Sequence, residues 1–593
     1  MFKKLVCTTA LCLSASAFAQ TYDLPIIFVD TKYHQCLDNK IIEKIPATIR
    51  VLDGKTNNVA DSSKATPYEI GIKVRGRGRS SSNFPKPNYT IEFHDSTDKD
   101  INVSLLGLPP SDDWVLHGPY VDKSMVRNSF GHWLFRQTGR YSPRTKHFDL
   151  YINGVYRGIY VLIERIKRGK YRVNVSKLKE ADIEGDNLTG GYIWTYDNND
   201  PSPSETELGF KTSDGVNVIL RYPKKDKIAK EQEEYIQNYL NELEALYKGG
   251  KNGSGYENYV DVASAVDYIL LEELTQNIDT YATNIFMYKQ KNKTDDQGNK
   301  TVGKITLGPP WNFYLAFNNN FKPDSSNNPI YAWESSLSDS RNQFDNIWII
   351  EKICANINPS PLAPKWFFEI WKDSIFQIEV SKRWAELRSG VWHTKTIDAY
   401  LDSMKTYLKN AADRNFKRWP NLGKASGQND PDPQPMKFCN SSGGGFGMAM
   451  GGYNATTWDG EVEHLRKKMK ERMAWMDQQL GFSEPASPVV MAPVDPSIHE
   501  PDWQKDNDND SIPGTVKIHP DNFSRLSPTN YFVVNGNNIE IQTDLGGTFA
   551  IVDLNGAVLY KTRIKTGTTM LEVPAKARDK HWIATLNGKM LSK

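Results

Sequence analysis

Short apolar runs alternating with polar residues fill the first third of the chain: Leu24–Val29, Ala47–Leu52, Tyr68–Val74 and Tyr89–Phe93, broken by Gly, Asn and Asp. A period of two bounded by turn residues predicts strands and hairpins. Phe148–Asn153 and Tyr156–Glu164 predict two more strands joined by a turn at Asn153-Gly154. Ser124–Thr138 predicts a helix stopped by Gly139. From about residue 226 the period becomes helical, at Ile228–Tyr247, Val262–Gln276, Phe344–Asn356, Pro364–Leu387, Ile397–Trp419 and Glu461–Leu480. Asn284–Gln290 and Thr301–Leu307 predict strands around a polar loop. The pattern is a β-rich front, about 20–225, and an α-rich rear, about 226–485: an α+β domain of two lobes. A Pro- and Asp-rich stretch, 486–514, reads as a linker. Period-two runs such as Asn538–Gln542 and Thr548–Asp553 make 515–593 a small all-β C-terminal module.

The length, 593 residues, is too great for one ordinary core and fits this division. Residues 1–19 read as a signal peptide: Lys3 and Lys4, the apolar run Leu5–Leu13, then Ala17-Phe18-Ala19 before Gln20. The protein is therefore expected to be secreted or held at a bacterial cell surface. No other apolar run is long enough for a bilayer, so it is not expected to span the membrane. The net charge is +2, and the two leader lysines account for it. That balance gives no support to a nucleic-acid binder. Cys36, Cys354 and Cys439 fit no zinc spacing, and an oxidising compartment permits one disulfide of unassigned pairing. Asp506, Asp508 and Asp510 lack the closing Glu and flanking helices of a calcium loop and read as solvated linker.

The candidate chemistry centres on Asn277-Ile278-Asp279 with Asn284 five residues after the Asp, between a predicted helix and a predicted strand. Kinase-type phosphotransferases use an Asp and an Asn at this spacing, the first to accept the proton of the attacking hydroxyl, the second to hold a nucleotide-bound metal. On spacing alone, a loop cap is the favoured reading of Asp279. Arg75, Arg77 and Arg79 alternate with Gly76 and Gly78, so their side chains share one strand face, as an anion site or as a solvated face. Lys86, before the strand Tyr89–Phe93, could reach phosphate oxygens or simply snorkel from a sheet edge.

Further segments accompany these in order: Leu105-Leu106-Gly107-Leu108, Asp113-Trp114-Val115-Leu116, Asp122-Lys123-Ser124 with Arg127-Asn128, Val155–Tyr160, Glu164, Arg383-Trp384, and Arg414-Asn415 with Arg418-Trp419. Together they resemble the CotH family, kinase-like proteins named for a spore coat component, from about Val74 to about Gly481. The resemblance implies an atypical two-lobed protein-kinase-like fold that transfers phosphate from ATP, with Mg or Mn, to serine on a protein substrate. By the same resemblance Asp279 is the catalytic base, Lys86 contacts phosphate and is catalytic, Glu164 orients Lys86 in the cofactor site, and Asn284 helps hold metal. Arg77, from its strand face, is added as a cofactor-binding residue, and Asn312, with one carbonyl oxygen, as a metal ligand. Asp122 and Arg127 have no assigned chemistry and are expected to form an ion pair. Family members typically carry Trp-Asp-Phe-Asp before Phe-Gly, whereas this chain reads Trp311-Asn312-Phe313-Tyr314. Two readings follow: a serine kinase with altered metal use, or a catalytically inactive kinase fold serving as a cell-surface scaffold or adhesion protein. The C-terminal module resembles bacterial sorting and attachment domains through a strand, Asp-x-x-Gly turn and strand.

Overall fold

The computed structural model describes residues 21–319, 346–351, 364–435, 449–489 and 531–590, apart from short stretches inside these ranges. The leader, Arg79, the three mature cysteines and most of the expected linker lie outside the described residues. The chain divides into two units, one of Met1–Asn102 with Ser111–Pro501, the other of Val103–Pro110 with Asp502–Lys593.

The first unit has mixed α+β architecture. Seven strands close into a barrel: β1 (Ile26–Thr31), β2 (Ile45–Leu52), β3 (Gly71–Arg77), β4 (Asn88–His94), β5 (Asp113–His117), β6 (Thr145–Ile152) and β7 (Val155–Glu164). Their order around the wall is β1-β6-β7-β5-β4-β3-β2, and β2 pairs back with β1. Every pairing is antiparallel except β1 with β6. Alternation sends one set of side chains inward, among them Val29, Ile49, Val74, Ile91, Leu116, Leu162 and Leu150, all essentially without solvent contact. The Asn153-Gly154 turn joining β6 to β7 has positive φ at both residues (50° and 77°), the geometry that lets a two-residue hairpin follow the strand twist.

The helix α1 (Arg127–Gln137) follows β5, and Asp122 anchors its start: its carboxylate accepts from the Arg127 backbone N (2.9 Å) and the Arg127 guanidinium (2.7 Å). This is the expected Asp122–Arg127 ion pair, and both side chains are buried.

A second, five-stranded antiparallel sheet has the order β9-β10-β8-β11-β12, with β8 (Tyr192–Tyr196), β9 (Leu208–Lys211), β10 (Asn217–Tyr222), β11 (Ile285–Lys289) and β12 (Ile305–Leu307). It draws strands from both sides of residue 226, because α2 (Lys230–Ala245) and α3 (Val262–Thr275) are inserted between β10 and β11. The α3 helix is buried on nearly every side, which its apolar run Tyr268-Ile269-Leu270-Leu271 requires. Asp261 caps its start by accepting from Ser264 N, and Gln276 ends it in the left-handed conformation.

The single helix expected over 364–387 is two, α4 (Lys365–Trp371) and α5 (Ser374–Ser389). Asp373 breaks the run, because its side chain accepts from Ile375 N and starts a new helix. The helices α6 (Thr394–Arg418) and α7 (Trp458–Gln479) complete this unit. Trp366, Trp371, Trp384, Trp392 and Trp419 are all core residues.

In the second unit, β13 (Tyr531–Asn535), β14 (Asn538–Thr543) and β17 (Gly567–Glu572) form one sheet. The strands β15 (Gly547–Asp553), β16 (Val558–Ile564), β18 (Trp582–Leu586) and β19 (Lys589–Met590) form another. Ile539, Ile541, Phe549, Ile551 and Ala584 make its core.

Candidate functional site

Trp311, half-buried, lies between the two main sheets of the first unit, and the space beside its ring is the candidate cleft. On one side it packs on Val115, Val161 and Ile163, which face outward from the barrel wall. On the other it packs against the apolar cluster of Ile166, Val173, Val175 and Ile193 and meets Phe286 of the five-stranded sheet, ring centroids 6.3 Å apart. The loop 276–284, from α3 to β11, and the segment 308–319, after β12, form the floor. Six non-glycine residues in these two segments have left-handed backbone: Gln276, Tyr281, Asn284, Asn312, Phe317 and Asn318. Such conformations cost free energy and persist only where surroundings enforce them, which marks the floor as a built feature.

Hydrogen bonds provide the enforcement. Asn312 donates from Nδ2 to Asp279 Oδ2 at 3.2 Å, and Asn277 donates from Nδ2 to the Asn312 carbonyl at 3.2 Å. Asn128 of α1 accepts from Phe313 N at 2.6 Å and pairs with His117 Nε2 at 2.8 Å. Because the Asn128 oxygen is taken by an N–H, its amide NH2 faces His117, so Nε2 accepts and the ring proton sits on Nδ1. Burial holds His117 neutral, with its pKa lowered to about 3. Gly131 of α1 leaves room for Phe313: a Cβ there would lie 2.3 Å from the ring.

Two glutamates clamp the loop from α3. Glu273 accepts from Ile349 N, Ile350 N and Tyr281 Oη and pairs with Arg472 of α7 at 3.0 Å. Its neighbour Glu272 is buried, faces Asn277, Tyr268 and Thr280, and makes no ion pair among the described residues. Burial, with a smaller contribution from Glu273, pushes its pKa up to about 8.

The residues singled out from sequence are thus distributed unevenly. Asp279 and Asn312 touch. Asn284 lies on the same loop, half-buried at the entry to β11. Arg77 stacks on Trp311, 5.6 Å from guanidinium carbon to ring centroid, at the edge of this floor. Lys86 is buried elsewhere, where its ammonium donates to Asn415 Oδ1 of α6 (2.8 Å) and the Pro119 carbonyl (3.4 Å). Burial, then repulsion from Arg418 and Arg157, holds it well below the usual lysine range. Glu164 turns to Arg144 (3.0 Å) and Arg172 (3.4 Å) rather than to Lys86. His117 had no signal in the sequence, whereas Asn128 lay in a recognisable motif without a role.

The donor set suits magnesium or manganese poorly. These ions favour charged oxygen ligands and dehydrate reluctantly. A carboxylate can only accept, so the hydrogen bond to Asp279 fixes the Asn312 side chain with its NH2, not its oxygen, toward that carboxylate. Tyr314 is a core residue, 8% exposed. Among the described residues no three His, Cys, Asp or Glu side chains converge as a metal site would need.

The chain is 24% identical over 226 residues to Inner spore coat protein H of Bacillus subtilis (strain 168), which covers 38% of this chain and 56% of that relative, little more than half its length. The family model for CotH kinase protein matches residues 74–476. That match takes in the barrel strands from β3 onward, the cleft floor and the helices behind it, and the chain belongs to the CotH kinase protein family.

Proposed function

We propose that this chain is a bacterial surface or secreted CotH protein that binds a nucleoside triphosphate in the Trp311 cleft without transferring its phosphate, and that acts as a scaffold. The observation that carries the reading is the Asn312–Asp279 hydrogen bond. In a kinase-type site the residue at 312 would bring a charged oxygen to metal, and Asp279 would be open to a hydroxyl. Here a neutral amide occupies the carboxylate instead, and Asp279 is 5% exposed. Loss of metal electrostatics at such a site costs transfer about a hundredfold or more. Among the described residues no helix is long and apolar enough to cross a membrane.

The test is phosphate transfer from labelled ATP to serine-bearing proteins, with magnesium and with manganese. No transfer is expected beside measurable ATP binding. Metal-dependent serine phosphorylation that disappears in Asp279→Asn would overturn this reading in favour of an active kinase.

A further inference from the structure

The outer face of the barrel wall carries two guanidiniums that form no ion pair among the described residues. Arg75 and Arg77 lie two apart on β3 and so share a face. The register carries Arg75 across Thr90 and Val115 to Ile163, and Val115 and Ile163 are the residues on which Trp311 packs. Both arginines therefore face the cleft, half-buried. Among the described residues Arg77 makes no hydrogen bond or ion pair, only its stacking on Trp311. Arg75 leaves Nε buried and unbonded. Two more guanidiniums flank them, and both are already engaged: Arg165 with Asp113 at 2.8 Å, Arg221 with Glu207.

This arrangement is costly as it stands. Arginine side chains that lose water ordinarily gain a carboxylate or carbonyl in return. Here burial, then repulsion from Arg165 and Arg75, lowers the Arg77 pKa to about 9, and Asp113 offsets only part of it. A planar guanidinium held over an indole presents its N–H groups in a fixed fork, the geometry that suits phosphate oxygens. One residue beyond Trp311, the Asn312 amide donates to the Asp279 carboxylate, and the two together make a poor ligand set for a divalent metal. The wall thus offers positive charge where the floor has lost its means of recruiting it.

We propose that Arg77 and Arg75, with Trp311, form a metal-independent site for the phosphate chain of a nucleoside triphosphate, so that guanidiniums do the charge neutralisation that a divalent cation does in a metal-dependent site. The inference rests on the nucleotide-binding reading above and adds to it what neutralises the phosphates.

Calorimetry on the full mature chain tests it, with ATP, tripolyphosphate and adenosine as separate titrants, each in EDTA and in magnesium. ATP affinity is expected to change by less than about threefold between the two buffers, and to fall about tenfold or more in Arg77→Ala, the scale of a lost charge-assisted hydrogen bond. Arg77→Lys, which keeps the charge without the fork, is expected to lie between, and a melting curve of each variant separates loss of binding from loss of fold. ATP binding that requires magnesium and survives Arg77→Ala and Arg75→Ala would overturn the inference while leaving the nucleotide reading intact. Tripolyphosphate binding without ATP binding would uphold the anion site and reject the nucleotide. No binding of either in both buffers would reject both.

Discussion

Lys86 and Asn415, 329 residues apart, share one hydrogen bond of 2.8 Å that ties α6 to the chain leading into β4. The Asn415 oxygen also accepts from Ile159 N of β7 at 3.1 Å, and a turn later Trp419 donates from Nε1 to the Arg157 carbonyl. Gly158, at φ +87°, lets the helix approach this closely: a Cβ there would stand 2.5 Å from the same Asn415 oxygen. Asn415→Leu leaves an ammonium and a backbone N–H buried without that acceptor. We expect a loss of about 2–4 kcal/mol, read as a fall in melting temperature, with Asn415→Asp recovering most of it.

Restoring a carboxylate at 312 tests the cleft floor. Asn312→Asp sets two carboxylates about where amide and carboxylate now meet at 3.2 Å. Like charges at that distance disfavour joint ionisation. In EDTA at neutral pH the variant is expected to melt about 2–4 °C below the wild type. Magnesium or manganese should return that difference in the variant and leave the wild type unmoved, which differential scanning fluorimetry can follow.

The close packing of Gly131 against Phe313 couples a helix to the floor without touching any ligand. Gly131→Ala forces the ring away, at about 1–3 kcal/mol of overpacking. Phe313 adjoins Asn312, so ATP affinity measured by calorimetry should weaken together with the melting temperature.

Burial of Glu272 sets the sign of its contribution to the pH dependence of stability. Its carboxyl sits near 8 in the folded chain against an ordinary 4.5, chiefly through burial. Between those values the folded state holds a proton that the unfolded state has released, so stability falls as pH rises through this window. The groups facing it, Asn277, Tyr268 and Thr280 beside Glu273, supply no cation to reverse that sign. Glu272→Gln removes this group's contribution to the slope. Denaturation midpoints from pH 5 to 8 should decline less steeply in the variant than in the wild type.

Local pattern carried the elements well, and distance in sequence limited the rest. The period-two runs around Ile26, Ile49, Val74 and Ile91 are barrel strands, since each alternates an inward apolar with an outward side chain. That these strands close on themselves was not legible. Closure depends on β1 pairing in parallel with β6, more than a hundred residues on, and no local signal encodes such a partner. The Asp279 loop and the altered Trp311–Tyr314 segment were legible as motifs, and the two do meet. The partners of the buried cations were not. Lys86 finds Asn415 and Glu164 finds Arg144 and Arg172 through tertiary packing alone. The alternation of Arg75 and Arg77 announced a shared face, but only the register showed that it looks into the cleft.

Barrel closure also decides how other chains can attach. A closed wall has no free strand edge, so a partner cannot join it by strand addition. On the five-stranded sheet one outer strand, β12, is already covered: Ile305 exchanges backbone hydrogen bonds with Tyr259 and Asp261, and Leu307 N reaches the Ser264 hydroxyl. Among the described strands of this unit's two main sheets, apart from the two-residue strand Thr66–Pro67 beside β2, the outer side of β9, Leu208–Lys211, is left as the place where a guest strand could continue the hydrogen-bond ladder.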